Sequence, residues 1–320
     1  MKIYHLSFLI GLICLSSCSS TPAPKDIDAF PTTIMVATME EEVNFDNNIL
    51  YCPTLLLAWK EIQQKLPQPF QIEEQYQPLV LLNSSKGHLG ALEEGDYEKE
   101  VTLGGNTITA KTSFKADLAL LTPLEENPIN MTFDEKKVVC FGGNGKQDAV
   151  MNQVEVMHYT SPEEFIIKIT PKNEDHELLL YKTNNKPTSL EALYQDFTTK
   201  IQLGEGKRDW VAKDKLAVPA LAFNIEQNYK QLVGLPFITN GNKWKVKKAW
   251  QKIALTFDKT GALVESKAEA VVMSRSAVTI PSRDLFFDND FLLVAKKKAA
   301  QQPYLLVWVS DPAFMSPIEE

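Results

Sequence analysis

After Pro53, apolar residues recur at three- and four-residue steps. Leu55, Leu56, Trp59, Ile62 and Leu66 therefore share one helical face. Proline suits a first helical turn, where its missing N–H costs nothing, so a buried helix is predicted to start there. Thr188 with Glu191 three residues on spells a capping box for a second helix, whose apolar side is Leu190, Leu193, Tyr194, Phe197 and Ile201. Between the two the pattern shortens to apolar runs of strand length at residues 118–121, 138–141, 165–169 and 178–181. A strand over 216–223, a short helix over 226–233 and a long strand around Ile253, Leu255 and Phe257 follow. Residues 291–294 and 304–308 are apolar on both faces and joined through Lys296, Lys297 and Lys298, so they predict a hairpin inside a sheet with a solvated lysine tip. Residues 68–115 are broken by Gly87, Gly90, Gly95, Gly104 and Gly105, and only a short strand at 107–110 stands out. The pattern as a whole predicts an α+β fold with large, mostly antiparallel sheets.

The N-terminus follows a different rule. Lys2 precedes an apolar stretch over residues 3–15 that is too short to span a bilayer stably and gives way at once to small residues. This reads as a signal peptide over 1–17. Leu15-Ser16-Ser17-Cys18 resembles the bacterial lipobox, in which the cysteine is acylated and becomes the new N-terminus, so Cys18 is the expected lipidation site, carrying palmitate or a similar acyl chain. Residues 18–33 are then a lipidated tether and 34–320 one domain. Ser19 follows the outer-membrane sorting pattern, and no acidic cluster follows it, so the expected location is the outer membrane, facing the periplasm.

With 44% hydrophobic and 23% charged residues, the chain of 320 residues is that of a folded protein. Its 33 basic and 41 acidic side chains give a net charge of −8, which argues against nucleic acid as a partner. Cys52 and Cys140 remain beside Cys18 after the leader, and a bridge between them is permitted but not indicated by spacing. His88, His158 and His176 are isolated, and neither a His-Glu-x-x-His nor a Cys-x-x-Cys pair is present to hold a metal. A Gly-x-Ser-x-Gly elbow is also missing. Gly142-Gly143-Asn144-Gly145-Lys146 lacks the spacing of a phosphate loop and reads as a turn. Glu40-Glu41-Glu42 reads as a solvated element boundary. The expectation is a chain that is not an enzyme, with no metal and no cofactor.

Several motifs appear in a telling serial order. Asn47-Asn48-Ile49-Leu50-Tyr51-Cys52-Pro53 leads into the first helix, Ala149-Val150-Met151-Asn152-Gln153 precedes the middle strands, and Ala217-Val218-Pro219-Ala220-Leu221 carries a central proline. Gln251 to Gly261 reads as a long strand running into a loop. Phe287-Asp288-Asn289-Asp290 opens the closing hairpin, which ends at Asp311-Pro312. This order resembles the serpins over roughly residues 45–66 and 116–312. The resemblance implies a buried central helix, an exposed reactive loop before the C-terminal strands, and a monomer that acts as a suicide substrate of a serine or cysteine protease. Residues 68–115 are short for the family, which implies N-terminal-half helices that are shortened or missing. Departures are also visible: Thr122 stands where the family has an Asn in its polar network, and Gln251 where a His is common.

The loop can be read from its own residues. From Gly261, the even positions Ala262, Val264, Ser266, Ala268, Ala270 and Val272 are all small, while Glu265, Lys267 and Glu269 fall on odd ones. In β conformation every charge would point one way and only small side chains the other, so the segment could enter a sheet over a packed core. An ordinary half-buried strand would show the same alternation. By resemblance, Gly261, Ala262, Val264, Ser266, Ala268 and Ala270 are the hinge. Arg275–Ser276 is the expected scissile bond, for a trypsin-like protease, with Met273–Ser274 second. The expected function is protease inhibition at the bacterial envelope. Its alternatives are a non-inhibitory serpin-fold binding or scaffolding lipoprotein and an unrelated α+β ligand-binding lipoprotein.

Overall fold

The computed structural model describes residues 22–115, 118–144, 151–211, 213–260 and 281–318. β1 (Lys25–Asp26) and a 3-10 turn (Ile27–Ala29) precede β2 (Thr33–Val36) and β3 (Asn48–Tyr51). α1 (Thr54–Lys65) and α2 (Gln77–Ser84) lead to a hairpin of β4 (Glu98–Gly104) and β5 (Thr107–Lys115). The short strands β6 (Glu125–Glu126), β7 (Thr132–Phe133), β8 (Lys136–Lys137) and β9 (Cys140–Asn144) come next. β10 (Val154–Ser161), β11 (Glu164–Ile169) and β12 (His176–Lys182) form a meander ahead of α3 (Leu190–Leu203). The rest is strand: β13 (Lys215–Pro219), β14 (Leu221–Asn228), β15 (Pro236–Thr239), β16 (Asn242–Phe257), β17 (Asp284–Phe286), β18 (Phe291–Lys297) and β19 (Leu305–Val309).

Three sheets and a separate two-stranded hairpin, β7–β8, organise these strands. One runs β1-β14-β16-β5-β4, with β15 also paired to β16. The second runs β10-β11-β12-β18-β19-β3-β2, and the third β17-β13-β9-β6. Most pairings are antiparallel, as expected, and the class is α+β. The closing hairpin β18–β19 sits in the middle of the second sheet, where Leu292, Leu293, Val294, Leu305, Leu306 and Val307 are wholly buried. That burial on both faces is what its unbroken apolar runs predict. α1 buries Leu55, Leu56, Trp59 and Ile62 of the predicted stripe, together with Ala58, while Leu66 caps the helix half-buried, and Pro53 stands just ahead of it. Asn48 is buried at the motif that leads into α1. Its side chain donates to Asp311 Oδ1 (2.9 Å) and accepts from Ser310 N (2.8 Å) and Asp311 N (3.1 Å), so the two ends of the family-like pattern are bonded to each other.

Other expectations need correction. α3 is capped by Ser189, which accepts from Ala192 N, and not by Thr188. Residues 226–233 are not a helix: β14 runs to Asn228, Tyr229 N continues the ladder to Ala249 O, and Gly234, at φ 85°, turns the chain back with a bond to Val246 O. Residues 216–223 split into β13 and β14, in different sheets. Residues 118–121 make only an isolated bridge, Leu120 with Pro171. Gly142 and Gly143 lie in β9 and not in a turn. A Cβ on Gly142 would stand 2.0 Å from Leu216 O, so the glycine answers to close backbone approach by β13. Lys296 and Lys297 end β18 half-buried, Lys297 reaching Asp96 (2.8 Å), and of the three lysines only Lys298 is exposed. The weakly patterned stretch 68–115 holds α2, β4 and a β5 longer than predicted, and β15–β16 turns through Asn240-Gly241, both at positive φ.

Candidate functional site

Two strands at the middle of the first sheet run the same way. β16 pairs with β5 in parallel, from Lys245 opposite Thr107 to Ala254 opposite Lys115, while each is antiparallel to its other long neighbour, β14 or β4. Apart from the two-residue β1, parallel to β14 at the sheet edge, the other pairings are antiparallel, and the parallel β5–β16 seam is the weaker line between long strands. β16 and β5 both end at the same edge of the sheet. The chain leaves β16 at Phe257, at the open end of the seam, and is described again from Pro281, ahead of β17 in the third sheet.

Beneath the seam lies α1. Gln251 and Thr112 stand directly opposite each other across it, both buried, and Thr54 in the first turn of α1 reaches both. Gln251 Nε2 donates to Thr54 Oγ1 (2.6 Å) and to Cys52 O (2.8 Å), Thr54 Oγ1 donates to Thr112 Oγ1 (3.0 Å), and Tyr229 OH donates to Gln251 Oε1 (2.5 Å). A polar staple thus closes the seam from below. Burial pushes the Cys52 thiol up to about 12, so it is a neutral packing group here and not a nucleophile. Cys52 and Cys140 are both free and buried, not bridged.

Gln251 is in this cluster as the sequence led us to expect; Thr122 is not. Thr122 N donates to Gln153 Oε1 (3.0 Å) and its carbonyl accepts from Gln153 Nε2 (2.6 Å), away from the seam. Thr112 takes the place on β5. Its signal was available: along β5 the inward positions are Ile108, Ala110, Thr112 and Phe114, and a single hydroxyl in an apolar row asks for a buried partner.

Both anchors of the departing segment are built. At the β16 end, Asp258 Oδ1 accepts from Thr260 N (2.8 Å), and the carbonyls of Lys259 and Thr260 accept from Leu124 N and Leu120 N. Lys259 is also ion-paired to Glu126. A cleft of about 320 Å3, walled by Cys140, Phe141, Leu221 and Phe257, opens beside this exit. At the returning end, Asp214, fully buried, accepts from Arg283 N (2.8 Å), Arg283 Nη2 (2.7 Å) and Arg208 Nη2 (3.3 Å), while Arg208 also donates to Pro281 O (2.6 Å). One carboxylate therefore clamps the segment that re-enters the fold.

Among the described residues no group of three or more His, Cys, Asp or Glu side chains could hold a metal. His176 Nδ1 lies 2.8 Å from Tyr304 OH, His158 is buried, and His88 is half-buried. The expected site residues Gly261, Ala262, Val264, Ser266, Ala268, Ala270, Met273, Ser274, Arg275 and Ser276, and the lipidation candidate Cys18, lie outside the described residues. So do Ala149 and Val150 of the motif at 149–153.

No family model matches the chain, and no curated protein matches it. Among solved structures it is similar to native protease nexin-1 with heparin, at a TM-score of 0.41 and 12% identity over 64% of this chain and 57% of that one. It is similar too to tengpin, a thermophilic serpin in its native state, with TM-score 0.42 and 9% identity over 63% and 55%. Thyroxine-binding globulin in complex with thyroxine gives 0.40 and 14% over 66% and 58%. This chain spans little more than half the length of each of these structures. Tengpin is named a serpin, the family that the order of motifs resembles, and the fold described above is α+β with three α-helices among the described residues.

Proposed function

We propose that residues 261–280 are a protease bait and that the chain is a suicide inhibitor held at the bacterial envelope through Cys18. The observation that carries the reading is the parallel seam β5–β16, with the alternating small and charged segment leaving from its open end. The serine Oγ or cysteine Sγ of a protease attacks the carbonyl carbon of Arg275. The Arg275–Ser276 C–N bond breaks, Ser276 departs as the amine, and Arg275 remains as an ester or thioester. Freed at that end, residues 262–272 turn back from β16 and enter the seam. A strand placed there is antiparallel to both neighbours, so one parallel ladder is exchanged for two antiparallel ones. The small even-numbered side chains face the core over α1, and Glu265, Lys267 and Glu269 face water. The protease, carried with Arg275, is drawn off its own oxyanion hole before water can release it.

The staple sets the speed of this step. Insertion must part Thr54 from Thr112 and separate Gln251 from its opposite residue, and slow insertion lets the acyl-enzyme hydrolyse. That observation favours a second reading, a serpin-like binding module in which the bait is only cut. Incubation with a panel of trypsin-like serine and cysteine proteases, read on a denaturing gel, tests the first. It predicts a protease-sized band shift resistant to boiling in detergent, in a minority of the cut molecules, lost in Arg275→Ala. Simple cleavage with no such band leaves the binding module.

A further inference from the structure

The first sheet has one buried face and one open one. Along β16 the side chains of Val246, Ala249, Gln251 and Ile253 go inward, and Lys248, Trp250 and Lys252 go outward. Trp250 packs against neither apolar core, whereas Trp244 does. Across the seam Lys111 stands directly opposite Trp250, and Lys115 lies further along the same face of β5. Lys243, Lys245 and Lys247 continue the line toward the β15–β16 turn and are exposed. Against these seven lysines the outward face sets Asp26, Glu98, Glu100 and Glu226, of which Glu100 is already paired with Lys111 (2.8 Å). Among the described residues none of the five β16 lysines has a carboxylate partner. A chain of net charge −8 has thus gathered unneutralised positive charge, with an indole in its midst, on one flat face.

The point where the N-terminal segment meets the domain says what this face looks toward. Asn224 alternates with the core residues Phe223 and Ile225 and so belongs to the outward face of β14, where its Nδ2 donates to Pro22 O (2.8 Å). Only three residues lie between Cys18 and Pro22, so the four steps reach at most about 14 Å. Ala254 is opposite Asn224, which puts Lys252 about 7 Å and Lys248 about 20 Å along the sheet from that junction. An acyl chain on Cys18 would bring its membrane close to this face.

We infer that the open face of the first sheet, with Lys248, Trp250 and Lys252 at its centre, docks on an anionic phospholipid surface. The inference rests on the envelope-anchoring reading for the direction of the tether, and on charge and an interfacial aromatic residue for the chemistry. The anchor holds the protein to the membrane. The face sets the orientation of the intact protein, sheet plane along the bilayer, with the end of the seam opening sideways, and insertion of 262–272, which adds Glu265 and Glu269 to this same face, releases it into water.

Full-length Cys18→Ala protein, which has no acyl chain, is sedimented with vesicles of phosphatidylglycerol and phosphatidylethanolamine or of phosphatidylcholine alone. Binding to the first and not the second is expected, weakening as salt rises. Each surface lysine contributes about fivefold, so Lys248→Gln/Lys252→Gln is expected to bind about 25-fold more weakly, Lys248→Arg/Lys252→Arg as the parent, and Lys136→Gln/Lys298→Gln as the parent. Palmitate labelling of wild type against Cys18→Ala tests the anchor separately. Labelled wild type with an unlipidated form that ignores anionic vesicles overturns the docking face and keeps the anchor. Unlabelled wild type with anionic-vesicle binding that needs Lys248 and Lys252 keeps the face and overturns the anchor. Equal binding to both vesicle types, or binding to single-stranded DNA or dextran sulfate in preference to vesicles, also overturns the face.

Discussion

Thr54 bonds Gln251 on one strand and Thr112 on the next, so a single hydroxyl under the sheet holds its weakest line shut. Thr112→Val removes one neutral hydrogen bond and keeps the shape, which costs about 1 kcal/mol in urea denaturation. Gln251→Ala also strips partners from Tyr229 OH, Cys52 O and Thr54, and opens a cavity, so a loss of about 3 kcal/mol is expected. The two differ in kind as well as size. Thr112→Val loosens the seam with little harm to the fold, so it should raise the share of detergent-resistant complex while lowering stability. Asp214→Ala leaves Arg283, 2% exposed, without its counter-charge and is expected to cost about 3–5 kcal/mol, with β17 the first element to lose protection in hydrogen exchange.

At the level of elements, α1 is fixed to the sheet edge by charge as well as by its apolar stripe. Lys65 and Lys99 lie 2.6 and 2.9 Å from Glu61 and hold its carboxyl below the usual glutamate range. A depressed carboxylate stabilises the fold fully above its unfolded value and loses that contribution as the pH falls through the folded one. Glu61→Gln is therefore expected to be about 0.5 kcal/mol less stable than wild type at neutral pH, with the gap closing as the pH is taken below 4.5. Elements like α1, α3 and β18–β19 were legible because each carries its own period and buries what that period displays. The misread ones answer to remote partners. Residues 226–233 look helical in isolation, but Tyr229 is claimed by Ala249 O and Gln251, on a strand about twenty residues away. Gly142-Gly143 looks like a turn until β13 lies against it. Of the candidate site, Gln251 could be located from the motif around it. Thr112 could not, because its role depends on pairing β5 with β16, a contact no local pattern specifies.

At the scale of the whole molecule, the account stands on one topological fact: a parallel seam whose open end lies where the chain leaves β16. The most direct measurement is thermal unfolding before and after a single cut between Val271 and Ser276, in wild type and in Ala268→Arg. A ten-residue strand paired on both sides is worth several kcal/mol, and each kcal/mol moves the midpoint of a chain this size by about 2–4 °C, so cleaved wild type should melt at least about 10 °C higher than the intact protein. Ala268→Arg would have to bury an unpaired charge over α1, so its cut form should gain nothing, while Glu269→Arg should gain as wild type does. A cut wild-type chain that melts at or below the intact one would contradict insertion into the seam.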